Sequence, residues 1–181
     1  MKIFVILICI ICWLVSGASG FIYWWTTEFD FTTDDFSLAV WIKTDALGWR
    51  HLLTRGDFET DGWYFEIGTQ GEMRFRTNQA GVVQTTIGTV GDVVTGTWQL
   101  ISVTRSGAAA RIFTNGIDTT ATPATHINPL TANRNLYIGV NNLAGAGYYD
   151  GDMWRPRIWG RQLSAAEMLQ IFETERYLFG V

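Results

Sequence analysis

The chain has 181 residues, a formal net charge of −4, 48% hydrophobic, 14% aromatic and 17% charged residues, and 19 glycines. One domain of that length can bury a core without staples, and a composition so rich in aromatics and poor in charge excludes a disordered chain. The basic residues are scattered: the densest group, Arg155, Arg157 and Arg161, has the period-two spacing of a strand's wet face, and no basic stripe for nucleic acid exists.

Lys2 precedes an uninterrupted apolar run, Ile3 to Val15, which ends in the small residues Ser16 to Gly20. That is the pattern of a cleavable secretory signal over residues 1–20. The uncharged stretch continues through Phe21-Ile22-Tyr23-Trp24-Trp25 to Thr27, which also suits a membrane anchor with aromatic residues at the interface. Both readings put Glu28, Asp30, Asp34 and Asp35 outside, so residues 21–181 are expected as an extracellular domain, touching a membrane only through an uncleaved N-terminus. Cys9 and Cys12 lie within the apolar run, which leaves the domain without a disulfide, a thiolate nucleophile or a cysteine-ligated zinc. With His51 and His126 as the only histidines, a multi-histidine metal site is excluded too.

From Phe29 onward, strands alternate with turn signals. In Phe36–Lys43, Phe36, Leu38, Val40 and Ile42 share one face, and Ser37, Ala39, Trp41 and Lys43 the other, a half-buried sandwich strand. Further strands are predicted over Arg50–Arg55, Gly62–Ile67, Glu72–Thr77, Val82–Ile87, Trp98–Arg105, Ala110–Thr114, Asn135–Val140 and Met153–Trp159. Asn115-Gly116 is the sharpest turn, favouring a type I′ hairpin. One helix is expected, late in the chain: Ser164 with Glu167 forms a capping box, followed by the apolar stripe Met168, Leu169 and Phe172. Many strands and one helix argue for a two-sheet antiparallel β-sandwich.

Five blocks, in order, resemble a known family. They are Phe29 to Lys43, Thr95 to Arg105 with its central Trp98, Arg111 to Gly116, Leu136–Gly139 with Tyr149–Gly151, and Arg157 to Leu169. Together they resemble the laminin G-like, pentraxin-like jelly rolls of the concanavalin A-like lectin and glucanase superfamily. The resemblance implies an all-β jelly roll with a short C-terminal helix, acting as a binding module. Two departures stand out. Only Phe21 to Glu28 is left to form the strand that usually precedes the Phe29 block. Trp154 and Arg155 occupy positions where the family often carries calcium-binding aspartates, and Arg155 cannot ligate a cation.

The same fold hosts retaining glycosidases, which need two carboxylates about 5 Å apart on a rigid strand. Glu28-Phe-Asp30 begins such a pattern without its second glutamate, and Asp57-Phe-Glu59-Thr-Asp61 sits in a glycine-flanked turn. No catalytic residue is assigned, and the chain is expected not to be an enzyme. Asp57, Glu59 and Asp61 offer hard oxygens that suit weak calcium binding, although Gly68 stands where an EF-hand needs glutamate. The loop from Asn141 and Asn142 to Tyr148, Tyr149 and Asp150 combines aromatic rings with amide and carboxylate groups, as sugar recognition does. Trp49 and Trp63 flank the acidic turn and are expected on the surface as further ligand-binding candidates, whereas Trp41 and Trp98 are assigned to packing. The expected function is a secreted or surface-displayed module that recognises an extracellular glycan or protein. A structural or adhesive domain of a surface or viral assembly is the alternative, and a glycoside hydrolase the third reading.

Overall fold

The computed structural model describes residues 29–141 and 147–181, with the backbone of residues 5–6 and 22–24. The rest of the expected signal segment, and Asn142, lie outside the described residues. The strands are β1 (Val5–Ile6), β2 (Ile22–Trp24), β3 (Phe36–Thr44), β4 (Arg50–Arg55), β5 (Trp63–Ile67), β6 (Met73–Gln79) and β7 (Val82–Gly88). They continue as β8 (Gln99–Ser106), β9 (Ala109–Thr114), β10 (Ile117–Asp118), β11 (Thr120–Thr122), β12 (Leu136–Ile138) and β13 (Gly151–Trp159), before helix α1 (Ala165–Glu175). The first sheet has the order β1-β13-β3-β8-β9-β10 and the second β11-β7-β6-β5-β4-β12-β2, with antiparallel pairing throughout. Without the two short N-terminal strands, five and six strands remain. The strand sought between Phe21 and Glu28 forms over three residues, Ile22–Trp24, beside Leu136–Ile138. In the first sheet, β3 lies between β13 and β8, neighbours far away in sequence, so the chain crosses between layers as a jelly roll requires.

The core fills the space between the sheets. Phe36, Leu38, Val40 and Ile42 of β3 meet Trp63, Phe65 and Ile67 of β5 and Phe75 of β6, all fully buried. Phe31 stacks on Phe36 at 4.3 Å between ring centroids, and Trp63 donates its indole N–H to the Phe29 carbonyl at 2.8 Å. A buried ion pair ties this loop down: Arg55 Nε lies 2.7 Å from Asp30 Oδ1, and Ala132 N–H reaches the same oxygen. Asp30, the middle of the sequence's half-formed carboxylate pattern, is therefore a structural counter-ion. At the β9–β10 hairpin, Asn115 and Gly116 both take positive φ (52° and 78°), as a type I′ turn demands.

Strand β3 is buried on both faces, not half-wet as its alternation suggested, because a third layer covers the first sheet. Helix α1 starts at the expected capping box, with Ser164 and Glu167 bonded reciprocally. It lays Phe172 over Trp41, and the following Phe179 sits 4.3, 4.6 and 5.2 Å from the rings of Trp41, Trp98 and Trp154. Glu175, buried at the helix end, accepts from Trp41 Nε1 at 2.7 Å and from both terminal nitrogens of Arg157 at 2.8 Å. Arg157 is thus drawn under the helix, while Arg155 takes φ 48° in the irregularity of β13 between Trp154 and Arg157 and stays exposed.

His126 is buried between two threonines, with Thr77 Oγ1 2.9 Å from Nδ1 and Thr86 Oγ1 2.8 Å from Nε2. Burial, and then the nearby Arg105, push its pKa down to about 4 from the ordinary 6.5. Between those values the unfolded chain binds more protons than the folded one, so stability is lost as pH falls through this window, by about 3 kcal/mol at most. Urea unfolding of the wild type and of His126→Gln across pH 7 to 4 checks this. The variant is expected to show a shallower loss, and an identical slope in both contradicts the assignment.

Candidate functional site

The two outer faces of the sandwich differ. The first sheet's is covered by α1, whereas the second sheet's carries charge. The register pairs Tyr64 with Arg76, Glu66 with Arg74, and His51 with Glu66. Since Met73, Phe75, Trp63, Phe65 and Ile67 point into the core, the alternate residues Arg74, Arg76, Tyr64 and Glu66 point outward.

At the centre of this face Glu66 is 1% exposed, with Arg76 Nε 2.8 Å from Oε1 and His51 Nδ1 3.1 Å from Oε2. Neither contact has the alignment of a good hydrogen bond, so Arg76 and Glu66 attract each other chiefly through their charges. Burial lowers the Arg76 pKa; Glu66 opposes that effect and the neighbouring Arg74 adds to it. Arg74 donates Nε–H to Glu72 Oε1 at 2.8 Å. Burial works against the Glu72 carboxylate, but the backbone N–H groups of Glu72 and Gln70, together with Arg74, outweigh it and hold its pKa below the usual range.

Trp49, in the turn before β4, lies over both guanidiniums, with Arg74 Cζ 4.7 Å and Arg76 Cζ 5.0 Å from its ring centroid. Trp49 remains 44% exposed, so its ring is held by the two guanidiniums and still reaches solvent. Phe58, also 44% exposed, lies over Arg76 at 5.2 Å. The Tyr148 loop joins the same edge. Arg50 Nη1 donates to the Tyr148 carbonyl at 3.2 Å, and His51 N–H to that of Gly147 at 3.0 Å. Gly147 has φ 72°, and a Cβ there would collide with the His51 ring, so this close approach requires glycine.

The structure thus brings Trp49, Tyr148 and the turn bearing Asp57 together on one face, but it separates others. Trp63 is fully buried and cannot meet a ligand; the alternation of β5 turns it into the core. Tyr149 packs against that core, burial raises its phenol pKa, and its hydroxyl donates to the Asp152 carbonyl at 3.2 Å. Asp150 is exposed, and its carbonyl accepts from Asp45 N–H and Thr44 Oγ1. Asn141 is half-buried, and Asn142 lies outside the described residues.

In the acidic turn, Asp57 is paired with Arg134, Asp61 Oδ1 accepts Asp57 N–H at 2.8 Å, and Glu59 is exposed with φ 58°. Partial burial is the main cause that raises the Asp61 pKa. No group of three or more His, Cys, Asp or Glu placed to hold a metal ion occurs among the described residues. Sequence reasoning missed Arg74, Arg76, Glu66 and Phe58. The alternation in Met73-Arg-Phe-Arg-Thr77 already put two arginines on one strand face.

Taken together, these features define an antiparallel jelly-roll β-sandwich domain. The chain belongs to the concanavalin A-like lectin/glucanases superfamily, since the Laminin_G_3 family model matches residues 17–168. A search of curated proteins gave no match. Among solved structures, the botulinum neurotoxin serotype G binding domain is similar at TM-score 0.60 and 13% identity, covering 80% of this chain and 37% of that one. The binding domain of Paraclostridial Mosquitocidal Protein 1 gives 0.59 and 13%, over 79% and 38%. Domain 4 of an extracellular arabinanase from Geobacillus stearothermophilus, solved with arabinotriose, gives 0.58 and 16%, over 77% and 66%. The chain therefore spans little more than a third of the two toxin domains, and these likenesses establish the fold. Among the described residues, no helix is long and apolar enough to cross a membrane.

Removing Trp63 should cost about 3–5 kcal/mol as Trp63→Ala, whereas Trp49→Ala should cost under about 1 kcal/mol. Denaturant unfolding of both variants checks the assignment of one to the core and the other to the surface, and equal losses contradict it.

Proposed function

We propose that the chain is a non-catalytic recognition module that binds an extracellular carbohydrate on the outer face of the second sheet, with Trp49 as the stacking platform. One observation carries this reading: the Trp49 indole rests on Arg74 and Arg76 while 44% of it stays exposed. A ring immobilised on one side loses little freedom when a sugar's C–H face stacks on the other. Phe58 and Tyr148, 44% and 37% exposed, extend the apolar rim. The arabinanase domain solved with arabinotriose has the same fold, which supports a carbohydrate ligand by analogy. The non-catalytic reading is supported by the engagement of two carboxylates of the kind a glycosidase uses, Asp30 with Arg55 and Glu66 with His51 and Arg76. Secretion, as the N-terminal pattern suggests, would place the site among extracellular glycans. The reading needs no calcium, because a cation on the acidic turn would have to displace Arg134 from Asp57.

A glycan-array screen with and without chelator tests the proposal. Binding to a defined glycan class is expected, unchanged by chelator, weakened at least about ten-fold by Trp49→Ala and untouched by Tyr177→Ala, a substitution at a 74% exposed ring of the C-terminal segment. Loss in chelator would place calcium in the site. Silence throughout would favour the structural or adhesive role.

A further inference from the structure

Arg74 and Arg76 are both held from the side. Arg74 gives its Nε–H to Glu72, and Arg76 meets Glu66 through Nε, each at 2.8 Å. A guanidinium engaged through Nε keeps its two terminal nitrogens, and their paired N–H edge is the fork that grips a carboxylate or sulfate by two parallel bonds. Those terminal nitrogens have no acceptor among the described residues. Arg74, whose side chain is 23% exposed, is the readier of the two; Arg76, at 12%, adds positive field from beneath the indole.

Arg74 and Arg76 stand on one strand face beside Glu66 and Glu72, and Arg50 reaches the Tyr148 carbonyl at the edge of the site. In the adjoining turn, Asp57 is paired with Arg134, and Asp61 accepts from the turn's own backbone. An arriving anion would also relieve the mutual repulsion of the two adjacent guanidiniums.

Building on the Trp49 platform, we infer that this face selects an anionic sugar: its ring stacks on Trp49 and its carboxylate or sulfate is gripped at the edge of the indole by the Arg74 fork, with Arg76 behind it. A neutral sugar would use the platform and leave the fork to water.

The test is calorimetric titration of the full chain with three galactose-series trimers: the galacturonate, the sulfated galactose and the uncharged galactose. At low salt at least one anionic trimer should bind about ten-fold or more tightly than the neutral one, and the gap should close in 1 M salt. Arg74→Gln should remove most of that advantage, lowering affinity for the anionic trimers by more than it lowers affinity for the neutral one, and Arg74→Lys should restore only part, since it returns charge without the fork. An unchanged unfolding midpoint in each variant confirms that folding is intact. Preference for the galacturonate or for the sulfated trimer identifies which oxyanion the fork takes. Equal affinity for all three, or an advantage that survives Arg74→Gln, overturns the inference. If Trp49-dependent binding of neutral glycans persists in that case, the platform stands and anion selection alone fails; if no trimer binds and the array is silent, both fail.

Discussion

A sandwich hides one face of each sheet, and everything else in this molecule depends on what it does with the other two. The first sheet's outer face carries Ala39, Trp41 and Leu100, too apolar to leave in water, and the chain returns to cover it with α1 and Phe179. Burying that layer puts an acid beneath the helix, and Glu175 is tolerable there only because Trp41 and Arg157 satisfy its oxygens. Among the described residues, no helix lies over the second sheet. Its outer face is built from interlocked charged residues with Glu66 at the centre, and it carries the exposed ring of Trp49.

That solution shapes the site. A carboxylate buried at 1% exposure must keep its partners close, so His51 and Arg76 are fixed by Glu66, and Arg74 by Glu72. With the guanidiniums fixed, Trp49 has a flat charged surface to lie on, and its outer side is held toward solvent. The exposed ring is therefore positioned by sheet residues and not by its own turn alone. Gly147 lets the Tyr148 loop approach His51 closely enough to close one side of the platform.

Much of the fold was legible in the sequence, because strand periodicity, Asn115-Gly116 and the Ser164–Glu167 box are local signals with fixed geometric meaning. The double burial of β3 was not legible, since alternation reveals which residues share a face but not what covers it. The same limit explains the site. Trp49 was read as exposed from its place beside the turn, and so was Trp63, but Trp63 lies inside the strand and its parity sends it to the core. Arg74, Arg76 and Glu66 looked like ordinary wet-face residues, because only the cross-strand register brings them together under one indole. The acids of the 57–61 turn read as metal ligands, and the partner of Asp57, Arg134, is far away along the chain.

The most direct test follows the indole N–H signals of the nine tryptophans by NMR while an oligosaccharide that the protein binds is added. The account predicts that the Trp49 signal moves with saturation, together with the Arg74 Nε–H, while Trp41, Trp98 and Trp154 beneath the C-terminal layer stay fixed. Movement of those three with Trp49 unchanged would contradict it, and would place recognition on the opposite face of the sandwich.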